Sequence, residues 1–115
     1  MARESIVGDK SLAFGKRIAR CYRYLHDKKK ETVMSKQILR SGTSIGANVH
    51  EAVQAQSRAD FVSKLSIALK EASETEYWLE LLHESGYIDD NSFASIINEN
   101  VEIIKILTRI VKNSD

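Results

Sequence analysis

A chain of 115 residues has the length of one domain and can bury about two-thirds of the surface that its unfolded form exposes. Its composition, 43% hydrophobic and 29% charged, belongs to globular proteins and not to disordered ones. One cysteine, Cys21, excludes an intramolecular disulfide and points to a reducing, cytoplasmic compartment, and no segment reads as a signal peptide or as the ~20 apolar residues of a membrane span.

With no proline and five glycines, almost nothing forbids long helices. The net charge of +1 hides an asymmetry. Residues 1–40 carry eleven Lys/Arg against four Asp/Glu, a net of +7, and residues 41–115 carry six against twelve, a net of −6. Such polarity fits a nucleic-acid or acidic-partner surface; it equally fits attraction between basic and acidic helices.

The first helix is expected over about residues 10–28, capped by Asp9 or Ser11, with Phe14, Ile18, Cys21, Tyr22 and Leu25 on one face. Charged residues from Asp27 to Glu31 break the pattern, and Thr32 is placed to cap a second helix over 33–54. There Met34, Ile38, Ile45, Val49 and Val53 keep helical spacing around a stretch of poor propensity, Ser41 to Asn48. A loop over that stretch is an alternative. The apolar period stays in phase across it, which favours continuous helix, with Gly42 and Gly46 on one face where a neighbour can come close.

A third helix, 57–85, opens on Ser57 with Asp60 at the reciprocal capping position. Its seam is Phe61, Leu65, Ala68, Ala72, Thr75, Leu79 and Leu82, a 4-3-4-3 repeat suited to bundle packing, and Gly86 terminates it. A fourth helix, 90–112, follows Asp89-Asp90-Asn91-Ser92, with Phe93, Ile96 or Ile97, Val101, Ile104, Leu107 and Val111 as its seam. Short connections between long helices predict an all-α, antiparallel up-down-up-down four-helix bundle spanning the chain as one domain.

Two blocks carry a resemblance. Gln37 to Ala52 reads QILRSGTSIGANVHEA, and Ser57 to Ala72 reads SRADFVSKLSIALKEA, followed by Glu74 and Tyr77-Trp78-Leu79. Both are similar to the signature of the bacterial 23S rRNA intervening-sequence proteins, whose commonest form has Gly where this chain has Ala52. The resemblance covers about residues 10–112 and implies a four-helix bundle assembling into a homopentameric ring. Family genes lie inside insertions in large-subunit ribosomal RNA genes and elsewhere. The family is similar in fold to the accessory protein of diversity-generating retroelements, which works with a reverse transcriptase and RNA. Nucleic-acid binding is thus an expectation by analogy.

The basic first helix supplies a physical argument for the same role. Lys16, Arg17, Arg20 and Arg23 lie on neighbouring turns, Lys28, Lys29 and Lys30 extend the positive surface into the turn, and Lys36 and Arg40 continue it on the second helix. Clustered cations neutralise phosphates without reading sequence, and a ring would multiply each weak contact. Against this stand the readings of a solvated basic face or of pairing to acidic helices, and no aromatic stacking platform is evident. A non-enzymatic oligomeric scaffold for RNA or other nucleic acid is therefore expected, with a protein–protein assembly module as the alternative.

A second constellation is structural. Arg40, Ser44, Asn48 and Glu51 share one stripe beside Ser41, Gly42 and Gly46, while Glu71 and Glu74 form another that ends at Trp78. Arg40 with Glu71 or Glu74 is the natural pairing in a buried or interfacial network that fixes register.

Nothing points to catalysis, a metal or a cofactor. A di-metal bundle needs two Glu-x-x-His motifs and two further Glu, and Glu80-Leu81-Leu82-His83 stands alone. His26 and His50 read as exposed or capping residues. Cys21 reads as a small core hydrophobe, and the serines around Gly42 and Gly46 have neither a strand-to-helix elbow nor a histidine in phase.

Overall fold

A computed structural model describes residues 2–114, so Met1 and Asp115 lie outside it. Four helices account for the architecture: α1 (Ala2–Asp27), α2 (Met34–Val53), α3 (Arg58–Glu84) and α4 (Asp90–Lys112). No strand occurs among the described residues. α2 and α3 pack against each other, α1 lies on α2, α4 lies on α3, and α4 closes back onto α1. The result is a helical bundle 44 Å long and about 20 Å across, of which its longest helices, 26–27 residues at ~1.5 Å each, account for about 40 Å. No helix among the described residues is long and apolar enough to cross a membrane.

α1 starts eight residues earlier than its periodicity suggests. Val7, Ser11, Phe14 and Ile18 are all buried, so the 4-3-4 spacing runs toward the N-terminus. Asp9 and Ser11 therefore lie inside the helix and cap nothing, and the Ser11 hydroxyl donates to the Gly8 carbonyl at 3.1 Å.

Thr32 does not cap α2 either. Glu31 does. Its Oε2 accepts from the Val33 and Met34 amides at 3.0 Å each and its Oε1 from Ser35 N at 2.7 Å, while Ser35 Oγ donates back to the Glu31 carbonyl at 2.8 Å. A carboxylate on the free amides of a helix N-terminus satisfies donors that have no intrahelical partner and faces the positive dipole end. Burial works against the charged form of Glu31, but the backbone amides outweigh it and hold the carboxyl below its usual value of 4.5.

α2 is continuous through Ser41–Asn48. α3 begins as expected, with Asp60 N donating to Ser57 Oγ at 3.0 Å. It ends in a Schellman motif: Tyr87 N donates to the Leu82 carbonyl at 2.9 Å, Gly86 N to the His83 carbonyl at 3.1 Å, and Gly86 takes φ +82°.

The seam of α3 is buried from Leu65 to Leu82, and Phe61 is only half-buried at its start. On α4 the seam is displaced. Ile96, Asn100, Ile103, Leu107 and Ile110 are buried, whereas Ile104 and Val111 pack at the margin of the core and Val101 is only half-buried. The apolar residues alone allow either register, and the polar Asn100 conceals the buried one. Its Nδ2 donates to the Ala72 carbonyl at 2.9 Å, and its Oδ1 has no partner among the described residues. Val53, expected in the α2 seam, is 61% exposed because the helix ends there.

Candidate nucleic-acid interface

The basic residues of α1 divide into two sets. One set is committed within the bundle. Lys10 Nζ pairs with Glu102 at 2.5 Å, and the Arg17 guanidinium meets both the Glu99 carboxylate and Ser95 Oγ, the latter at 2.9 Å. Arg17 is thereby a bridge between α1 and α4. This is the attraction between basic and acidic helices that the charge asymmetry allows.

The other set is exposed. Lys16, Arg20, Arg23, Lys28, Lys29, Lys30 and Lys36 all face solvent, and none forms an ion pair among the described residues. They run along α1, through the α1–α2 turn and onto the first turn of α2. Asp27, held below its usual value first by a hydrogen bond from His26 and then by Lys30 and Arg23, lies among them.

Two features of this surface escape a reading of charge. Lys30 sits at φ +56°, a left-handed conformation that costs a residue with a Cβ about 1–2 kcal/mol. Tight turns of this kind usually carry Gly or Asn; here a lysine holds the position in the middle of the basic run. Tyr24 is the second. It is 46% exposed, one turn beyond Arg20 and one turn before Lys28, with Lys29 Nζ 5.9 Å from its ring centroid. The i, i+4 spacing Arg20-Tyr24-Lys28 is the signal that would have found it. An aromatic face is therefore present among the cations after all.

The polar constellation of α2 and α3 separates into four parts. Arg40 reaches both carboxylates: its Nη1 lies 3.3 Å from Glu71 Oε1, and its Nη2 contacts Glu74, whose Oε2 also accepts from Trp78 Nε1 at 2.9 Å. This cluster is at the surface, with 48% of the Arg40 side chain exposed, so it orients side chains more than it stabilises the fold. Deeper, the Ser41 and Thr75 hydroxyls hydrogen-bond each other at 2.9 Å in the α2–α3 seam. Ser44 and Asn48 bond only to their own helix, at the carbonyls of Arg40 and Ser44 respectively. Glu51 pairs with Lys64 at 3.2 Å.

Gly42 and Gly46 both face α1. A Cβ on Gly42 would lie 2.8 Å from Ile18 Cγ1 and Cγ2, and one on Gly46 would lie 3.3 Å from the Ser11 carbonyl oxygen. By contrast Gly8 and Gly15 on α1 face open space. They line a groove of about 870 Å³ between α1 and α2 together with Leu12, Ala47, His50 and Val53.

Among the described residues no three His, Cys, Asp or Glu side chains gather as a metal site would require. His83 stacks on Phe93 at 4.1 Å and meets Asp90 at 2.7 Å, which ties the α3–α4 turn. Cys21 is half-buried, and burial pushes its thiol up against a weaker opposing pull from Arg17. It therefore stays protonated at neutral pH and lacks nucleophilic character.

Residues 3–109 of the chain match the family model described as 23S rRNA-intervening sequence protein. It is similar to a crystal structure of a protein of unknown function from the S23 ribosomal protein family of Bacteroides thetaiotaomicron. That protein is 60% identical over 96% of this chain and 98% of its own length, with a TM-score of 0.94. A comparison with curated proteins found no match. With nearly the whole chain matched, from the α1 basic run through both signature blocks, the protein belongs to the 23S rRNA-intervening sequence protein family.

Proposed function

We propose that the protein is a non-enzymatic, cytoplasmic helical scaffold that binds RNA or other nucleic acid through the exposed basic surface of α1 and the α1–α2 turn. The observation that carries this reading is the set of seven exposed cations, Lys16, Arg20, Arg23, Lys28, Lys29, Lys30 and Lys36, left over after Lys10 and Arg17 are neutralised by α4. A basic helix that served only to attract its acidic neighbour would not carry them. Binding of this type is electrostatic, sequence-tolerant and weakened by salt.

The antiparallel up-down-up-down arrangement belongs to this reading. It is supported by side-chain pairs that run in opposite senses: Ile18 with Gly42 and Ser11 with Gly46, Arg40 with Glu71 and Glu51 with Lys64, Ala72 with Asn100 and His83 with Asp90. Assembly into a ring of copies, a homopentamer by family resemblance, is supported by the α1–α2 groove. Leu12 and Val53 are 60% and 61% exposed there beside two glycines that nothing fills. The same groove favours the alternative of a protein-assembly module without a nucleic-acid role.

Gel retardation with RNA and DNA at low salt separates the two. The proposal expects retardation that is lost in the double variant Arg20→Glu/Arg23→Glu. Failure to retard any nucleic acid would leave the assembly module. Light scattering after size exclusion tests the ring: a strict monomer at micromolar concentration overturns it, and Gly15→Leu is expected to dissociate it.

A further inference from the structure

Next to the exposed cations a cleft of about 380 Å³ opens between α1 and the start of α4. Ile88, Ile96 and Cys21 give it an apolar floor. Tyr24 stands at its edge with nearly half its surface exposed. Arg20 occupies the same rim on the side of the basic surface, and Asp89 and Ser92 bring polar groups at the α4 N-terminus. The cavity is at the small end of ligand pockets. It suits one planar ring system with an apolar underside, a stacking face and a polar edge.

The neighbourhood restricts the occupant. Arg17 and Arg20 border the cleft on α1, Arg17 already paired with Glu99, and the exposed anionic Asp89 lies on the α4 side, so a phosphate fits on the Arg20 side and away from Asp89. A duplex keeps its bases stacked inside and cannot insert one without unpairing it, whereas a single strand offers unpaired bases with free π-faces. Aromatic and apolar surface beside a cationic track is how proteins hold single strands without reading sequence.

We infer that the α1–α4 cleft receives one unpaired base of a single-stranded nucleic acid, stacked at Tyr24 and seated over Ile88 and Ile96, while Arg20 and the cations beyond it hold the backbone. The inference rests on the nucleic-acid reading above and deepens it by naming the substrate as single-stranded. Tyr24 supplies the stacking face. Asp89 lines the α4 side of the cleft, where its Oδ1 caps α4 by accepting from Ser92 N at 2.7 Å.

Fluorescence anisotropy of the full chain, with one labelled 12-nucleotide RNA as a single strand and as a blunt duplex, tests it at one fixed salt concentration. The wild type is expected to bind the single strand more tightly. Tyr24→Ala, at a half-exposed position, is expected to weaken single-strand binding about tenfold and to leave duplex binding unchanged. Ser92→Leu fills the cleft from an exposed position, and the same selective loss is expected from it. Loss of equal size on both forms, or none in either variant, overturns the cleft and leaves the electrostatic surface intact. No binding of either form by the wild type overturns the nucleic-acid reading itself.

Discussion

Replacement of Gly42 by alanine separates helix propensity from packing. In an open helix the change stabilises by about 1 kcal/mol. At Gly42 the new Cβ would lie 2.8 Å from two carbons of Ile18 and 3.2 Å from its Cβ, well inside the ~3.5–4.0 Å of a favourable carbon contact. Ile18 is fully buried and branched at Cβ, so a rotamer change does not clear the clash and α1 must shift. Overpacking of this kind costs about 1–3 kcal/mol, which leaves a net loss of about 1 kcal/mol. Ile18→Ala removes the two carbons at 2.8 Å and leaves only the Cβ at 3.2 Å, a contact that a shift of a few tenths of an ångström relieves; its own cost is about 2–5 kcal/mol, and in that background Gly42→Ala should stabilise again. Urea denaturation followed by far-UV circular dichroism, run as a double-mutant cycle, should therefore give a coupling of about 2 kcal/mol. Gly15→Ala, which meets nothing, is the control and should gain about 1 kcal/mol in the dissociated chain. If Gly42→Ala stabilises as much as Gly15→Ala, with no coupling to Ile18, the close approach of α1 and α2 is refuted.

Three further outcomes are expected. Glu31→Ala should cost about 1–2 kcal/mol near pH 7 by freeing three amides of α2. Because the folded carboxyl lies below 4.5, that contribution is complete above about pH 4.5 and fades as the pH falls through the folded value. The deficit should narrow in acid, and a deficit that grows in acid contradicts the cap. Lys30→Asn should stabilise by about 1 kcal/mol in thermal denaturation, since asparagine adopts the left-handed conformation more readily, while nucleic-acid affinity falls. A destabilised Lys30→Asn would show that the lysine side chain supports the turn. Asn100→Leu should gain about 1–2 kcal/mol in urea, because it removes a buried oxygen without a partner and costs only the bond to the Ala72 carbonyl. A loss of more than 2 kcal/mol would mean that Oδ1 is satisfied in solution.

The helices were legible in the sequence because apolar spacing dictates which faces can be buried. The α3 seam from Leu65 to Leu82, the Ser57 cap and the Gly86 stop follow from local chemistry, and so does the continuity of α2 through its glycines. The register of α4 did not, because its buried stripe includes Asn100, a residue that hydropathy assigns to the surface. The α2 cap is not legible in the sequence, because Glu31 reads there as one more solvated charge. Only the path of the turn brings its carboxylate over the Val33, Met34 and Ser35 amides.

For the candidate site, Lys16, Arg20, Arg23 and the lysine run could be named from spacing, and so could the Arg40 pairing to Glu71 and Glu74. Sequence could not tell Arg17 from its neighbours. Its commitment to Glu99 depends on where α4 lies, a long-range fact absent from any local pattern. The cleft beside Tyr24 has the same origin, since α1 supplies one wall and the start of α4 the other.

The salt dependence of binding to a single-stranded RNA tests the central claim most directly. Affinity measured from low to moderate salt should fall linearly on a log–log plot, with a slope of about −0.7 for each phosphate neutralised. Arg20→Glu/Arg23→Glu should flatten that slope and weaken binding most at low salt. Binding that ignores salt, or a slope that the double variant leaves unchanged, would contradict a role for the exposed basic surface of α1.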